Sequence, residues 1–479
     1  MSEKTYKTTI GLEVHAELKT KTKMFCSCKN DTEEERPNVN ICPICMAHPG
    51  TLPVINKQAV KNVLKVGLAI KAKLADFTEF DRKNYFYPDI PKGYQISQYK
   101  YPLVSGGELA GVLVTRVHLE EDTAKSSHET GDCSLVDFNR AGVPLMELVT
   151  EPVIHDAKTA GKFAQELQLL LRYLGVSDAN MEKGEMRVEA NISVSDTEKL
   201  GTKVEVKNLN SFRSVEKAIE YEVKRHIDTI ESGEKIIQET CGWDEAKQKT
   251  FSQRKKEDSH DYRYFPDPDL PKLKISELSE FSEKALRSEM QELPEEKRVR
   301  YVKDFGIKAT DIEFFVTNRA FGDFFEKTAV LLCGDKESIV SAANYLSSDV
   351  MGLVKNDTKV ISTEAVLFAF SPADYASLIA LIRKGDISSR GAKDILAIMY
   401  TDGGKADDIA KAKGLIQKSD AGELKNIALG IIAANEKIAA EFKAGKEASL
   451  QFLIGQGMKA TKGSANPTKL KDIFIELLR

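Results

Sequence analysis

The chain has 479 residues, 42% of them hydrophobic and 30% charged, with a formal net charge of −4. This length exceeds what one hydrophobic core supports and predicts roughly two to four domains. The near balance of charge excludes a nucleic-acid partner bound through overall basicity, so any basic surface must be local. No apolar run approaches the roughly 18 residues of a membrane span. The early strand-like pattern leaves no room for a signal peptide, and the seven cysteines are typical of a reducing compartment, so we expect a cytoplasmic protein.

Two segments alternate strictly between apolar and polar residues. In residues 8–18 apolar side chains occupy every second position, and the opposite face carries Glu13, His15 and Glu17. Residues 186–195 repeat the alternation. The pattern predicts an antiparallel sheet with one buried face and one polar face that could line a cavity. A plain solvent-facing sheet would give the same pattern and stays open as an alternative.

Three helical patterns begin near side chains that can cap a helix amino terminus. Strands and helices mix without a regular βαβ repeat, which favours the α+β class over a doubly wound sheet. We predict helices from Asn56 to about Leu74, from Asp156 to Gly175 and from Ser214 to Gly233.

Changes in composition predict three domains. Residues 1–293 mix strands and helices, whereas residues 294–405 are dominated by helical patterns such as the one that begins at Ser371, a cap followed by proline. A linker-like segment at 401–408 follows. Residues 406–479 then form a small helical tail with more Lys and Arg than Asp and Glu.

Four of the seven cysteines lie within residues 26–45, as Cys26-x-Cys28 and Cys42-x-x-Cys45. Two thiolate pairs at short spacing can close a tetrahedral zinc site of the structural kind, which predicts a zinc knuckle here. The Cys-x-Cys half is less standard than a Cys-x-x-Cys half. Four reduced cysteines without a metal are therefore the alternative.

Carboxylates are concentrated between Val117 and Glu151, in a segment with the composition of strands. Buried carboxylates without partners are costly, so this density is hard to explain by core packing. The alternative is a set of solvated strand ends. The acids concerned are Glu120, Glu121, Asp122, Asp137, Glu147 and Glu151.

The sequence has no Gly-rich phosphate loop of the G-x-x-x-x-G-K-S/T type. A nucleotide would therefore have to be bound through metal-coordinated phosphates, and Mg²⁺ prefers carboxylate, water and phosphate oxygens. Glu13 and His15 share one strand face, and we predict that they form a magnesium site together with Glu121 and Glu147.

Long strings of characteristic sequence are spread along the whole chain. They are IGLEVHAEL, FDRKNYFYPDIPKGYQISQY, HLEEDTAK, NRAGVPLMELVTEP, KNLNSFRSVEKAIEYE, DYRYFPDPDLP and, in the tail, LIGQGMKATKGSANP. So many strings in one order are more specific than any single motif. Together they resemble the family of B subunits of bacterial aspartyl/glutamyl-tRNA amidotransferases, the GatB/GatE family.

The resemblance implies a carbon–nitrogen ligase whose catalytic cradle (residues 1–293) has a glutamine-synthetase-like fold. ATP and Mg²⁺ would phosphorylate the side-chain carboxylate of mischarged Glu-tRNA(Gln) or Asp-tRNA(Asn), because a carboxylate has no good leaving group and an acyl phosphate supplies one. Ammonia would then displace the phosphate. An amidase A subunit would supply that ammonia, and a small C subunit would complete the heterotrimer.

The resemblance also assigns roles to individual residues. Glu13, His15, Glu121 and Glu147 match the metal and nucleotide site of the family. Weaker assignments place further residues near the nucleotide or substrate, and the family's tail is a tRNA-binding element. These further residues are Glu120, Glu151, Lys83 and Tyr87 for the cofactor and Lys459 and Lys462 for the tRNA. Lys83 and Tyr87 also share with Tyr85 and Lys92 a family motif that the resemblance places around the substrate and the ammonia route.

The chain departs from the family pattern at four positions. Ala179 replaces a usual glycine, Val188 and Glu189 replace a usual Cys-Asp, and Cys241 stands for a frequent arginine. Glu189 keeps a carboxylate one methylene longer than aspartate, so its charge is retained and its reach changes. A phosphate contact at position 241 is not expected here.

Two other functional classes stay open at this point. One is a free-standing ATP-dependent carboxylate–amine ligase that acts without tRNA, against which the basic tail argues. The other is a non-catalytic RNA-binding scaffold with a zinc knuckle, for which the acidic sheet would be superfluous. Turnover of ATP that depends on tRNA would exclude the first, and loss of ATP cleavage on changing one glutamate would exclude the second.

Overall fold

The structure is a computed structural model that describes residues 5–127, 131–255, 262–358, 366–417, 421–461 and 465–478. The chain divides into two compact units, Met1–Pro294 and Glu295–Arg479. In the part of the chain that is described, no helix is long and apolar enough to cross a membrane.

In the described ranges, the first unit is built around strands together with four α-helices. Its strands are β1 Lys7–Glu17, β2 Lys73–Leu74, β3 Phe77–Thr78, β4 Asp81–Asn84, β5 Tyr94–Ser97, β6 Val104–Ser105, β7 Glu108–Leu109, β8 Val112–Glu121, β9 Lys125–Ser127, β10 Leu135–Asp137, β11 Pro144–Thr150, β12 Met186–Ser195, β13 Val204–Leu209, β14 Glu239–Asp244, β15 Lys249–Lys255, β16 Phe265–Pro266 and β17 Leu273–Lys274. Its helices are α1 Lys57–Ala69, α2 Ala157–Tyr173, α3 Phe212–Glu231 and α4 Glu283–Ser288.

Ten of these strands form one sheet in the order β15-β14-β13-β12-β1-β11-β8-β6-β2, with β7 paired to β8. Neighbouring strands are antiparallel except β13 and β14, which run parallel because α3 connects them. The expectation of a purely antiparallel sheet is therefore wrong, and the sheet is mixed.

The alternation predicted for residues 8–18 and 186–195 is confirmed, since their apolar side chains lie in the hydrophobic core. Helix α3 packs on β12, and α2 packs against both α3 and β1. Burial of each such aliphatic side chain contributes about 1.5–3 kcal/mol to the stability of the folded chain. Burial of one sheet face under helices leaves the opposite face for polar side chains.

Two helix boundaries differ from the prediction. Helix α1 is capped by Asn56 as predicted but ends at Ala69, because the chain turns at Lys71 (φ 58°) and enters β2. Helix α3 begins earlier than predicted, since Ser211 is its cap and accepts a hydrogen bond from the backbone N–H of Ser214 at 3.0 Å. The predicted cap of α2, Asp156, is confirmed.

The second unit is helical, as the sequence predicts. Ser371 and Asp374 form the capping box at the start of one helix, with Pro372 at its first position, and a separate hydrophobic cluster packs the last four helices. The helices are α5 Pro294–Phe305, which starts at the boundary, α6 Ala309–Thr317, α7 Arg319–Leu331, α8 Lys336–Tyr345, α9 Met351–Asn356, α10 Pro372–Lys384, α11 Ser389–Asp402, α12 Ala406–Ala412, α13 Ala421–Ala434, α14 Glu436–Lys443, α15 Glu447–Ala460 and α16 Pro467–Leu478.

Candidate active site

Three polar residues lie side by side across the middle of the sheet. The register pairs His15 of β1 with Glu147 of β11, and Glu147 with His118 of β8. Glu120 follows two residues after His118 and therefore projects from the same face of β8, while Glu13 precedes His15 by two residues on β1. We call these five residues the acid–histidine cluster.

Glu147 is at the centre of the acid–histidine cluster. Its Oε2 atom lies 3.4 Å from Nε2 of His15 and 3.3 Å from Nε2 of His118. The His15 nitrogen also lies 3.7 Å from Oε1 of Glu120 and 3.8 Å from Oε1 of Glu13. One ligand atom from each residue of Glu13, His15 and Glu147 lies within 4.8 Å of the others, and the same holds for His118, Glu120 and Glu147. Such spacing suits a bound cation.

The electrostatics of the acid–histidine cluster follow from burial and mutual charge. Burial opposes the charged form of both histidines, but Glu147 and Glu120 outweigh it and raise the pKa of His15 and of His118 to about 9. Burial likewise opposes ionisation of Glu147, yet the two histidines hold its pKa well below the usual range. Burial, with the negative charges of Glu147 and Glu189, raises the pKa of Glu13 to about 7. The site thus holds positive and negative groups in a shielded place, where charge interactions are strong.

A further acidic group extends the polar face toward β13. Glu13 pairs across the strands with Glu189 of β12, and ligand atoms of Glu13, Glu189 and Glu205 lie within 4.8 Å of one another. Lys207 offsets this charge, since its Nζ donates to Oε2 of Glu189 at 2.8 Å. The departure at position 189 therefore leaves a carboxylate beside the cluster.

Glu121, which the sequence places with Glu13, His15 and Glu147, is not part of the acid–histidine cluster. Successive side chains of a strand point to opposite faces, so Glu121 projects away from Glu120. Its Oε1 atom lies 2.7 Å from Nζ of Lys92 and accepts a hydrogen bond from the backbone N–H of Ile96 at 3.0 Å.

The remaining predicted nucleotide residues lie in three different places. Lys83 of β4 is close to the acid–histidine cluster: burial opposes its charge, but the carboxylates of Glu120 and Glu147 raise its pKa. Tyr87 is exposed in the loop after β4. Glu151 accepts a hydrogen bond from the hydroxyl of Thr115 at 2.7 Å and joins none of the candidate metal groups found among the described residues.

The four predicted zinc cysteines come together. Their Sγ atoms all lie within 4.8 Å of one another; that of Cys45 is 4.0 Å from Cys28 and 3.9 Å from Cys42. Sulfurs placed about 2.3 Å from one zinc ion form a tetrahedron with edges of about 3.8 Å, so the spacing fits. A hydrogen bond from Cys26 is the main cause that lowers the pKa of Cys45 to about 5, while burial opposes it and Lys23 adds to it.

A cavity of about 200 Å³ separates the cysteines from the Lys92–Glu121 pair. Cys26 and Cys45 line one part of it, Lys92 and Glu121 another, and His48 a third. The β8 strand therefore presents the acid–histidine cluster on one face and this cavity on the other.

The other departures from the family pattern, and the tail lysines, lie elsewhere. Val188 is a fully buried core residue and Ala179 takes a left-handed conformation (φ 48°) in the core. Cys241 is buried in β14, where burial raises the pKa of its thiol to about 12. Lys459 is exposed in the last turn of α15, and Lys462 lies outside the described residues.

Sequence reasoning missed two residues of this region. His118 belongs to the acid–histidine cluster, and the signal was available, because period-two alternation along VHLEE puts His118 and Glu120 on one face. Lys23 is fully buried beside the cysteines. No sequence pattern marks it, since a lysine between threonine and methionine is usually exposed.

Comparison with known proteins identifies the class. Residues 8–280 match the family described as the GatB/GatE catalytic domain, and residues 323–478 match the GatB domain. The acid–histidine cluster and the four cysteines both lie in the catalytic-domain match.

Full-length relatives narrow the identification. The chain is 43% identical over 484 residues to the B subunit of the aspartyl/glutamyl-tRNA(Asn/Gln) amidotransferase of Thermodesulfovibrio yellowstonii, covering 99% of both chains. It is 44% identical over 484 residues to the corresponding protein of Chlorobium phaeobacteroides, with 99% of each chain covered, and 42% identical over 495 residues to that of Crocosphaera subtropica, covering 99% and 98%. The chain therefore belongs to the family of amidotransferase B subunits, and it is one component of a ligase.

Proposed function

We propose that this chain activates the side-chain carboxylate of mischarged Glu-tRNA(Gln), Asp-tRNA(Asn) or both with ATP, and then converts it into the amide. The observation that carries the proposal is the acid–histidine cluster, which gathers Glu13, His15, His118, Glu120 and Glu147 on the polar face of the sheet. The sheet with helices on one face is what a glutamine-synthetase-like cradle would require.

The donor atoms of the acid–histidine cluster suit a divalent cation. Glu13, Glu120 and Glu147 offer oxygen atoms of the kind that Mg²⁺ prefers. The Nε2 atom of His15, 3.4 Å from Glu147, would become a further ligand only on losing its proton, which the positive charge of a bound cation favours. Magnesium held there would neutralise charge on the phosphate oxygens of ATP. Lys83, held positive by Glu120 and Glu147, is placed to offset the same phosphate charge.

The chain's own residues would act by position and charge. Glu147 is kept ionised by the two histidines that flank it, so it needs no change of protonation when it binds a cation. His15 and His118 are fixed by their strands and by Glu147, which limits the reorganisation needed when charge develops on the substrate. Substrate positioning and fixed charge together account for the proposed activation.

Ammonia would come from a partner. The sequence has no Gly/Ser-rich amidase segment, and an amidase A subunit with a small C subunit would supply it. At neutral pH most ammonia in water is protonated to ammonium, and only the neutral NH₃ can attack. This favours an enclosed route between subunits. The exposed Tyr87 and the half-buried Lys92 lie in the segment after β4 that we assign to the substrate and the ammonia route.

Two supporting roles complete the proposal. Cys26, Cys28, Cys42 and Cys45 would hold one structural Zn²⁺, because their sulfur spacing fits a tetrahedral site. The tail, residues 406–479, would bind the body of the tRNA through Lys459 and Lys462. It would form a third domain after the helical residues 294–405.

The test uses the complete amidotransferase with each mischarged tRNA in turn. Release of phosphate from ATP and formation of the amide are followed separately. Glu147→Gln keeps the size of the side chain and removes the charge that both histidines contact, so both reactions should be lost. Glu198→Gln, at a glutamate of the same unit whose side chain is 98% exposed and which lies outside the acid–histidine cluster, is the control and should keep both. Normal ATP cleavage by the Glu147 variant would overturn the proposal.

A further inference from the structure

Lys23 is a fully buried lysine in the segment that precedes the first cysteine pair, with 0% of its surface exposed. Burial of an ammonium group costs several kcal/mol unless an anion or several acceptors lie next to it. A lysine in this position therefore needs a source of negative charge nearby.

The partners of Lys23 are a carbonyl and a sulfur. Its Nζ donates to the carbonyl oxygen of Phe138 at 3.1 Å and lies 4.0 Å from Sγ of Cys45. Among the described residues no carboxylate forms an ion pair with it. The nearest acid, Glu121, lies across Gly142 and is paired with Lys92, so within the described ranges the group of opposite charge in contact with the Lys23 ammonium is the Cys45 thiolate of the four-cysteine cluster.

The backbone holds Lys23 at the same place. Its N–H donates to the carbonyl of Cys28 at 2.9 Å, and the next residue, Met24, donates to the carbonyl of Gly142 at 2.7 Å. Gly142 has φ +86°, and a Cβ atom there would lie 3.6 Å from Cδ of Lys23. Lys23 therefore lies between the cysteines and the loop 138–143, which leads into β11 and so to Glu147.

We propose that Lys23 is a positioning residue of the metal site: it supplies the buried counter-charge to the four thiolates and ties Cys45 to the loop that leads into β11. This inference rests on the proposed zinc site. Four thiolates around one Zn²⁺ leave two negative charges on the site. One buried ammonium group beside them therefore halves the net negative charge that is buried. Outer partners of this kind typically change metal affinity by about 10- to 100-fold when they are removed.

The test measures zinc affinity of the full-length chain by competition with a chromophoric chelator. Lys23→Met removes the charge and keeps the length of the side chain, and we expect zinc affinity to fall about 10- to 100-fold. Lys23→Arg keeps the charge and should restore most of the affinity. Lys21→Met, at an exposed lysine two residues earlier, is the matched control and should leave affinity unchanged.

A second variant and a second measurement keep the result decisive. Lys23→Gln removes the charge and keeps a hydrogen-bond donor on a slightly shorter side chain, and it replaces the methionine variant if that chain does not fold. The cobalt-substituted protein should show the thiolate-to-metal absorption band shifted in Lys23→Gln and unshifted in Lys23→Arg. Unchanged zinc affinity and an unchanged band in a folded, charge-free variant would overturn the role of Lys23. If the unaltered chain binds no zinc at all, the zinc proposal itself fails, which is a distinguishable outcome.

Discussion

Glu120 and Glu121 are consecutive residues of β8, yet their carboxylates serve opposite faces of the sheet. Oε1 of Glu120 lies 3.7 Å from the His15 imidazole, whereas Oε1 of Glu121 lies 2.7 Å from the Lys92 ammonium group. The same substitution at the two positions should therefore have different consequences.

We expect Glu120→Gln to abolish tRNA-dependent ATP cleavage while the protein stays folded. The variant removes one of the charges that hold His15 and His118 in place, and loss of one fixed electrostatic group typically costs about 100- to 1,000-fold in rate. Phosphate release with saturating tRNA measures the effect, and tRNA affinity measured in parallel should not change. A rate within about threefold of the unaltered enzyme would show that Glu120 is not needed for the chemistry.

Glu121→Gln should instead reduce stability, because it leaves the Lys92 charge unpaired at a site where its side chain is 14% exposed and that of Glu121 is 6% exposed. Removal of one partner of such a buried ion pair lowers the free energy of unfolding by about 3 kcal/mol. In a double-mutant cycle with Lys92→Met, urea unfolding should give a coupling energy of about 1–3 kcal/mol. Strictly additive effects would mean that the ion pair contributes nothing.

The sequence predicted much of this arrangement, and the difference between the two glutamates shows where it fell short. Hydrophobic alternation identified β1 and β12 because one face of each strand is buried. The same rule separates Glu120 from Glu121, whereas both the density of acids and the resemblance to the family favoured Glu121 for the metal site. Lys23 could not be found, since its burial depends on a loop more than a hundred residues away in the sequence, at Phe138.

Helix and strand boundaries show a similar limit. Side-chain caps such as Asp156 are local, so they were found from sequence. The end of α1 depends on the turn at Lys71 and on the pairing of β2 with β6. Neither feature can be recognised from the helical periodicity of the sequence. The parallel pairing of β13 and β14 likewise depends on where α3 lies in the fold.

Zinc removal should act on local structure rather than on the sheet. We expect about one equivalent of zinc per chain, and chelation should speed hydrogen exchange in residues 22–56 and leave β12 protected. Cys28→Ala should give the same local effect, whereas Cys333→Ala, at an exposed cysteine in the other unit, should not. Less than about a tenth of an equivalent after gentle purification would contradict the site.

The stability of the first unit should depend on pH through Glu222, which is fully buried in α3. Burial opposes its ionisation, but the adjacent His226, whose Nε2 lies 3.3 Å from Oε2 of Glu222, and hydrogen bonds from Arg225 and Thr250 lower its pKa to about 2. Because the folded pKa lies below the unfolded value, this stabilisation is present above a pH of about 4.5 and is lost as the pH falls toward about 2.

The matching variant is Glu222→Gln, which should flatten the pH dependence of unfolding between pH of about 4.5 and 2. At neutral pH its free energy of unfolding should be lower than that of the unaltered protein by on the order of 3 kcal/mol. This difference should shrink as the pH falls through that window. Urea unfolding at several pH values measures it. Glu220→Gln, at a half-exposed residue of the same helix, is the control, and an equal slope in the Glu222 variant and the unaltered protein would contradict the assignment.

Removal of residues 406–479 should weaken tRNA binding markedly and leave ATP binding intact. Lys459 is exposed at the end of α15, and we expect Lys459→Ala combined with Lys462→Ala to lower the slope of log affinity against log salt by roughly one to two, because each phosphate contact releases counterions. Lys336→Ala, an exposed lysine outside the tail, should keep the slope. Equal tRNA affinity of the truncated and complete proteins at several salt concentrations would exclude the tail as a tRNA-binding element.

The place of β1 in the sheet has a consequence for synthesis of the chain. β1 leaves the ribosome before the other strands of its sheet yet occupies an interior position, and its two neighbours, β11 and β12, are residues 144–150 and 186–195. Its apolar face and both of its edges must remain without partners until more than a hundred further residues have been translated. An unpaired strand of this kind is open to pairing with another chain. Production of this protein should therefore be sensitive to translation speed and to chaperones that shelter nascent strands.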